Sequence, residues 1–201
     1  MTRTADTVEI VQLVQAWGLR RDQGLWAELA RTFTEDGTIS VSWFAGPHAD
    51  FIERCRATHK ALSPRSKHLI GMPVVDIEAD RAIAETSIQI LGRANLEGMA
   101  VDNTSYARFV DRLLRTDGGW RIGSRIAIYE KDRLDPVVPS ADFDRFMQET
   151  DFSALPEAYR YLGYRLLQGG RQLRPDIIVD GSPEADGLLA DAGQWLRGAA
   201  S

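Results

Sequence analysis

Cysteine, histidine and long apolar runs are all scarce in this chain of 201 residues. Its one cysteine, Cys55, excludes an intrachain disulfide, and no cysteine–histidine cluster has the spacing of a zinc site, so we expect no metal. No apolar run approaches the ~18–20 residues that span a bilayer, and residues 1–7 lack the apolar core of a signal peptide. These absences predict a reduced, cytoplasmic protein that has no membrane partner.

Motifs for binding nucleotides and nucleic acids are also missing. The net charge is −5, and the basic residues are scattered rather than aligned in a stripe, which argues against a nucleic-acid surface. No glycine-rich phosphate loop opens a helix, and there is no G-x-S-x-G nucleophile elbow. The sequence therefore gives no support to a nucleotide cofactor, and we expect no cofactor at all.

Helical periodicity dominates the first third of the chain. Helices are predicted over residues 7–21, 25–33 and 49–62, and strict alternation of apolar and polar side chains predicts a half-buried strand over residues 38–43. The first helix is indicated by apolar residues that recur at the spacing of one helix face: Ile10, Leu13, Val14 and Trp17.

From residue 67 onward the pattern changes to alternation typical of strands. Glu78-Ala79-Asp80 and Asp117-Gly118-Gly119 are turn signals between these strands. Three helices around a first strand, followed by an antiparallel meander, are typical of an α+β fold. The predicted strands of the meander cover residues 68–77, 82–91, 99–115 and 120–129.

The C-terminal part of the chain has a different character. The segment 134–139 is a natural boundary, because prolines at 136 and 139 interrupt the β pattern. Helices are predicted beyond it over residues 142–150, 156–168 and 184–199. The middle helix is apolar almost all round, which predicts burial against the core or a partner subunit. We recognise no catalytic motif in this segment.

Two titratable residues stand out. Asp22 continues the side of the first helix that holds Val11, Val14 and Gly18, and the glycine leaves room beside it. Alternatively, Asp22 caps the second helix, since aspartate is a favoured N-cap. His68, one of three histidines, falls where a loop becomes a strand, a place from which a sheet can direct a side chain into a cavity. Its alternative is a satisfied histidine of the core.

Taken in order, these stretches resemble SnoaL-like proteins of the nuclear transport factor 2-like superfamily. The resemblance covers about residues 8–137. It implies a cone-shaped barrel in which a curved antiparallel sheet wraps around three N-terminal helices. It also implies two parts, a cone domain with a pocket at 1–138 and a helical C-terminal extension at 139–201. The strings that carry the resemblance are RDQGLWAEL (21–29), FTEDG (33–37), KHLIG (67–71), YARFVDR (106–112), GWRI (119–122) and DPV (135–137).

The chain is most similar in style to the group that contains scytalone dehydratase, bile-acid dehydratase and hexachlorocyclohexane dehydrochlorinase. Those lyases are built on an Asp–His dyad, and Asp22 and His68 match its two positions. The resemblance implies that Asp22 orients His68 and that His68 abstracts a proton. Arg125 matches an arginine that lines the dehydrochlorinase pocket, although a salt bridge at the sheet edge is its alternative role. The second histidine and the water-placing tyrosines of scytalone dehydratase have no counterpart here, so the substrate stays open.

An apolar wall around the dyad would suit a small hydrophobic substrate that is cyclic or aromatic. The leading prediction is thus a cofactor-free lyase, a dehydratase-like enzyme that expels water or another leaving group. The same dyad could serve an isomerase, a cyclase or a retro-aldol enzyme, and a non-catalytic ligand-binding protein is the further alternative. The resemblance also implies a homodimer or homotrimer. The residues predicted for the wall are Trp17, Ile39, Val41, Trp43, Ile88 and Phe109.

Overall fold

The computed structural model describes residues 3–59 and 66–198. None of the helices in these ranges is both long and apolar enough to cross a bilayer. The helices are α1 (Arg3–Gln23), α2 (Trp26–Ala30), α3 (His48–His59), α4 (Ala141–Glu149), α5 (Arg160–Gln168) and α6 (Pro183–Leu196). The strands are β1 (Phe33–Val41), β2 (Phe44–Pro47), β3 (Lys67–Ile70), β4 (Val74–Glu78), β5 (Arg81–Leu96), β6 (Met99–Thr116), β7 (Gly119–Pro136) and β8 (Ile178–Val179).

The strands form one sheet with the order β2-β1-β7-β6-β5-β3. Along one edge of β5, β4 pairs at its start and β3 further on; along one edge of β7, β1 pairs first and β8 follows. The pairing of β6 with β7 shifts register at residues 106–107 and 112–113, and such irregularities bend and twist a sheet. The resulting sheet is curved and unclosed, and the mixture of helices and strands confirms the predicted α+β class.

Two pairings differ in direction from the predicted antiparallel sheet. Both β1 and β8 lie parallel to β7, while every other pairing in the described chain is antiparallel. These two strands come from opposite ends of the sequence, so periodicity within each strand carries no information about its neighbour. The contact between β1 and β7 places the first strand beside the last long strand and completes the face on which the helices pack.

The boundaries of several predicted elements also change: the second helix ends at Ala30 rather than Phe33, and β7 continues to Pro136 rather than ending at Tyr129. The strand expected over residues 38–43 ends at Val41, because Ser42 and Trp43 form the tight turn between β1 and β2. The strand expected over residues 68–77 is split by Gly71-Met72-Pro73 into β3 and β4. At this break the Gly71 N–H donates to the Ser87 carbonyl at 2.9 Å, and a Cβ on Gly71 would lie only 2.8 Å from that oxygen. The predicted end of the third helix, residues 60–62, lies outside the described residues.

The main core lies between the helices and one face of the sheet. From α1 it takes Ile10, Val14 and Trp17, which meet Phe109 of β6 and Trp120 of β7. The C-terminal segment adds to the same core through Ala158, Tyr159, Leu162 and Leu166, so α5 closes one end of the sheet's inner face. On the other side, α6 packs against β5 and β8 through Ala185 and Ala192.

Candidate active site

Asp22 and His68 form a hydrogen-bonded pair where the end of α1 meets the start of β3. The Nδ1 atom of His68 lies 2.6 Å from Oδ1 of Asp22, and the backbone N–H of His68 donates to Oδ2 at 2.7 Å. The two side chains are 9 % and 5 % exposed. Asp22 does not cap α2, whose N-cap is Leu25 without a side-chain hydrogen bond. One carboxylate therefore fixes both the imidazole ring and the strand that carries it.

The close approach of α1 to β3 depends on a glycine. Gly18 lies one turn before Asp22, and a Cβ at this position would meet Cγ1 of Ile70 at 2.5 Å and Cβ of His68 at 3.7 Å. A side chain here would push β3 away from the helix. In the sheet His68 pairs with Ile90 of β5, which fixes the face toward which the imidazole points.

The environment of the pair favours an ionised aspartate. Burial acts to raise the pKa of Asp22, but the hydrogen bonds and charge of His68 together with the charge of Arg21 hold that pKa below its ordinary value. The guanidinium of Arg21 lies 3.6 Å from Oδ1, and the Lys67 ammonium lies 3.7 Å from Oδ2. Asp22 is thus a carboxylate that accepts the Nδ1 proton of a neutral His68.

The same environment keeps His68 neutral. Burial lowers its pKa, the hydrogen bond to Asp22 raises it, and the charges of Arg21 and Arg125 lower it, with a net decrease below the ordinary value. Since Nδ1 carries the proton that Asp22 accepts, Nε2 keeps its lone pair. Among the described residues none makes a hydrogen bond to Nε2. The ring is also held by Trp17, whose centroid lies 5.9 Å away at a nearly perpendicular angle of 87°.

His68 lines a cavity of ≈ 100 Å³ that is open on one side. This volume is smaller than the cavity of about 150 Å³ that holds a benzene molecule in an engineered protein core, so it leaves room for one ring at most. Four of the residues predicted for the substrate wall line it, namely Trp17, Val41, Trp43 and Phe109. They are joined by apolar side chains that the prediction omitted: Phe51, Ile90, Leu162 and Leu166.

Three predicted substrate contacts lie elsewhere. Ile39 and Ile88 are buried in the core and do not line the cavity; Ile90, one pleat further along β5, lines it in place of Ile88. Arg125 is fully buried behind the wall, where Asp111 binds its guanidinium through Nε at 2.7 Å and Nη2 at 2.6 Å. Asp111 stands directly opposite Arg125 on β6, so the pairing of β6 with β7 decides this outcome.

The polar part of the cavity surface comes from residues that the sequence reading did not select. Arg21 belongs to α1 and Tyr129 to β7. Arg165 and Arg171 belong to the C-terminal segment, in which we expected no chemistry. A signal for Arg165 was present, because it lies three residues after the apolar Leu162 and therefore on the same side of the helix. Apolar periodicity alone does not separate a buried cation from the core around it.

Tyr129 is placed to donate a hydrogen bond into the cavity. Its hydroxyl accepts the backbone N–H of Ser42 at 3.0 Å, which leaves its own proton available. Burial raises the pKa of Tyr129, so the phenol stays protonated near neutral pH. No group of three metal-ligating side chains converges among the described residues, either here or elsewhere.

Comparison with known proteins places this geometry in a family. Residues 2–126 match the SnoaL-like domain. Pea pathogenicity protein 2 of Fusarium vanettenii is 24 % identical over 163 residues, which are 79 % of this chain and 68 % of that protein. A proposed scytalone dehydratase from Novosphingobium aromaticivorans is 21 % identical with a TM-score of 0.55, over 68 % of this chain and 95 % of the other.

A second solved structure from Novosphingobium aromaticivorans supports the same assignment of fold. This nuclear transport factor 2-like protein with a cystatin-like fold is 25 % identical with a TM-score of 0.52, over 72 % of this chain and 90 % of the other. The match to the SnoaL-like domain spans more than half of the chain and includes both residues of the Asp22–His68 pair. The chain therefore belongs to the SnoaL-like domain family, within the nuclear transport factor 2-like superfamily.

Proposed function

We propose that the protein is a cofactor-independent lyase in which His68 is the general base and Asp22 orients it. The observation that carries the proposal is the 2.6 Å contact between Nδ1 and Oδ1 at the edge of a largely apolar cavity. A carboxylate bound to one ring nitrogen fixes the tautomer and stabilises the imidazolium that forms when the other nitrogen takes a proton. General-base catalysis of this kind contributes ~10²–10⁴-fold to a rate.

The reaction would be an elimination across two neighbouring carbon atoms. Nε2 of His68 takes the proton, the electron pair of the C–H bond forms a double bond, and the leaving group departs with its own bonding pair. When that group is hydroxide, the imidazolium returns the proton to it and water leaves. Tyr129 supports the step as a hydrogen-bond donor to a carbonyl or to the departing oxygen, because its hydroxyl accepts the Ser42 N–H and no described residue accepts its own proton.

Isomerisation on the same dyad is the nearest alternative. It shares the proton abstraction and differs in returning the proton to another carbon of the substrate. The cavity of ≈ 100 Å³ supports a one-ring substrate in either case. The two reactions are separated by the product, since elimination lowers the mass by that of the leaving group and isomerisation does not.

One contact supports a non-catalytic ligand-binding protein instead. The Oδ2 atom of Asp22 accepts the backbone N–H of His68, so the carboxylate would anchor β3 to α1 even if the imidazole did no chemistry. In that case neither wild type nor a His68 variant would transfer a proton, and the pair would serve only to hold β3 against α1.

Exchange of deuterium from solvent distinguishes these proposals. One-ring ketones and hydroxyketones are incubated in D₂O with wild type, His68→Gln and Asp22→Asn, and mass spectrometry follows incorporation and product mass. We expect exchange or turnover in wild type, none above background in His68→Gln and about 10²-fold less or lower in Asp22→Asn. Thermal unfolding of each variant checks that the fold is kept. Proton exchange that survives in a folded His68→Gln protein contradicts the lyase and the isomerase alike.

A further inference from the structure

Three arginines meet on the cavity wall without matching acidic groups. Arg21, Arg165 and Arg171 all line the cavity that contains His68. The carboxylate beside Arg21 is Asp22, and both of its oxygens already accept hydrogen bonds from His68. Neither Arg165 nor Arg171 forms an ion pair with any described residue. The residues outside the described ranges contain no aspartate or glutamate, so no acidic side chain of the chain remains for them.

The lack of a partner is most complete at Arg165. Its Nε is buried without a hydrogen bond among the described residues, and its guanidinium packs beside Gly92, where an added Cβ would approach Cζ to 3.2 Å. Burial first, then the charges of Arg171 and Arg21, lower the pKa of Arg165. The protein therefore holds a desolvated cation next to two like charges, an arrangement that destabilises the unliganded fold.

Arg171 is held in place but not neutralised. Its guanidinium lies 4.0 Å from the centroid of the Trp43 ring, and Nη2 donates to Oγ1 of Thr58 at 3.1 Å. Both contacts orient the group and leave its charge uncompensated, and burial lowers its pKa as well.

Two arginines elsewhere in the described chain show how carboxylates pair with buried and half-buried cations in this fold. Arg108 contacts three carboxylates, those of Glu85, Glu130 and Asp180, at 2.7–2.9 Å. Arg125, as buried as any residue in the protein, has Asp111 as a bidentate partner. The chain has 29 acidic residues against 24 basic ones, yet Arg165 and Arg171 have no ion pair among the described residues, and the carboxylate beside Arg21 is already held by His68. This arrangement indicates a site for an anion from outside.

We propose that Arg21, Arg165 and Arg171 bind the carboxylate of the substrate, which makes the substrate class a one-ring monocarboxylate. The inference rests on the proposed function, because it uses the same cavity and His68. The planar fork of a guanidinium matches a carboxylate with two parallel hydrogen bonds. Trp17, Trp43 and Phe109 would contact the ring.

Calorimetric binding of benzoate and benzamide tests the proposal, because the two probes have nearly the same shape and differ in charge. We expect benzoate to bind wild type at least about tenfold more tightly than benzamide, and Arg165→Met or Arg171→Gln to remove that preference. Arg145→Gln, which alters an exposed arginine of α4, is the matched control and should bind benzoate like wild type. Equal affinity for the two probes, absence of benzoate binding, or wild-type preference in a folded Arg165→Met protein overturns the subsite.

Two further measurements separate this proposal from the proposed function. Without ligand, Arg165→Met should melt at or above the temperature of wild type, since it removes an unpaired buried charge and keeps a side chain of similar length; if this variant does not fold, Arg171→Gln alone decides. His68→Gln should keep the affinity for benzoate while losing proton transfer. If benzoate binds as expected but proton transfer survives in His68→Gln, the lyase fails and the anion site stands; if His68→Gln is inactive and benzoate does not bind, the anion site fails alone.

Discussion

The guanidinium of Arg125 and the carboxylate of Asp111 form a two-point ion pair in which neither side chain is exposed to solvent at all. The arginine is also stacked between Trp17 and Phe109, at 4.4 and 4.3 Å from their ring centroids. Both aromatic rings line the cavity on their other side. Arg125 therefore supports the wall of the site from behind, and its charge lowers the pKa of His68 without contact with a ligand.

Removing one partner of this pair should destabilise the fold severely. We expect Asp111→Asn to lower the free energy of unfolding by about 3–5 kcal/mol, because the Arg125 cation then stays buried without a counter-charge. Urea denaturation measures the change. Asp102→Asn, which breaks the exposed pair with Arg93, is the control and should cost far less. The double variant Asp111→Leu with Arg125→Met should recover much of the stability that Asp111→Asn loses. If Asp111→Asn is as stable as wild type, the ion pair does not hold the fold in this way.

A side chain at position 18 should separate α1 from β3. Gly18→Ala places a Cβ 2.5 Å from Cγ1 of Ile70, and we expect a loss of about 1–3 kcal/mol together with weaker proton exchange, because the Asp22–His68 contact opens. In the control Gly187→Ala the new Cβ in α6 meets nothing within 4 Å, so helix propensity should make it more stable by about 0.5–1 kcal/mol. Combining Gly18→Ala with Ile70→Ala should relieve the clash and restore proton exchange. If proton exchange stays weak in the double variant, crowding against Ile70 is not the cause of the loss.

The pKa of His68 should respond in opposite directions to its two neighbours. Burial and the Arg21 charge lower it, while the hydrogen bond to Asp22 raises it. We therefore expect a pKa below 6.5 in wild type, a higher value in Arg21→Gln and a still lower value in Asp22→Asn, measured by NMR titration of the ring. Activity should follow the neutral base and fall as pH drops through this pKa. Since the folded pKa lies below the unfolded one, the stability that neutral His68 contributes is likewise lost on acidification. Shifts of the same sign in both variants would contradict the assignment.

Asp132 should make stability depend on pH in the reverse sense. Burial raises its pKa from 3.8 to about 6, although its Oδ2 accepts the N–H of Leu162 at 2.6 Å. A raised pKa means that the folded state binds the proton more tightly, so this group's contribution is present below pH 3.8 and is lost as pH rises through about 6. At about 1.4 kcal/mol per pKa unit the loss is at most about 3 kcal/mol, and solvent screening of this partly exposed carboxyl reduces it.

Asp132→Asn keeps the acceptor for Leu162 and cannot ionise. We expect its free energy of unfolding, relative to that of wild type, to increase between pH 4 and 7, as followed by urea denaturation at intervals of pH. Asp142→Asn, at an exposed position of α4, should show no such trend. A flat difference across this range would mean that Asp132 ionises normally in the fold.

Periodicity predicted the elements of the fold better than their pairing. The apolar spacing of α1 and the alternation of β5, β6 and β7 are local properties of the sequence, and all four elements formed, although β5 and β7 run past their predicted ends. The parallel neighbours of β7, and the break at Gly71-Met72-Pro73, depend on contacts between segments that are distant in sequence. These contacts stabilise the strands only once the sheet has assembled, so local periodicity does not reveal them.

In the candidate site, too, some features could be predicted from the sequence and others depend on contacts between distant segments. The meeting of Asp22 with His68 could be inferred, because the family resemblance fixed both positions. Arg125 was placed on the correct strand, but its role depended on the residue opposite it, and only the register with β6 reveals Asp111. Arg165 was missed because an arginine in a helix is ordinarily a solvated residue, and its burial here follows from the docking of α5 against β7. Arg171 was missed because it lies in the loop after α5, outside any periodic pattern.

The cavity brings together His68, at the junction of α1 and β3, and a C-terminal stretch that lies nearly a hundred residues later and carries Leu162, Arg165, Leu166 and Arg171. The two stretches contribute separate faces, so exchanges within α5 or the loop after it can reshape what the cavity admits while the α1–β3 junction keeps its geometry. Substitutions that change which molecules the cavity admits can therefore arise at other positions than substitutions that affect proton transfer. A fold organised in this way lends itself to divergence into related proteins that share one chemical step and differ in the molecules on which they perform it.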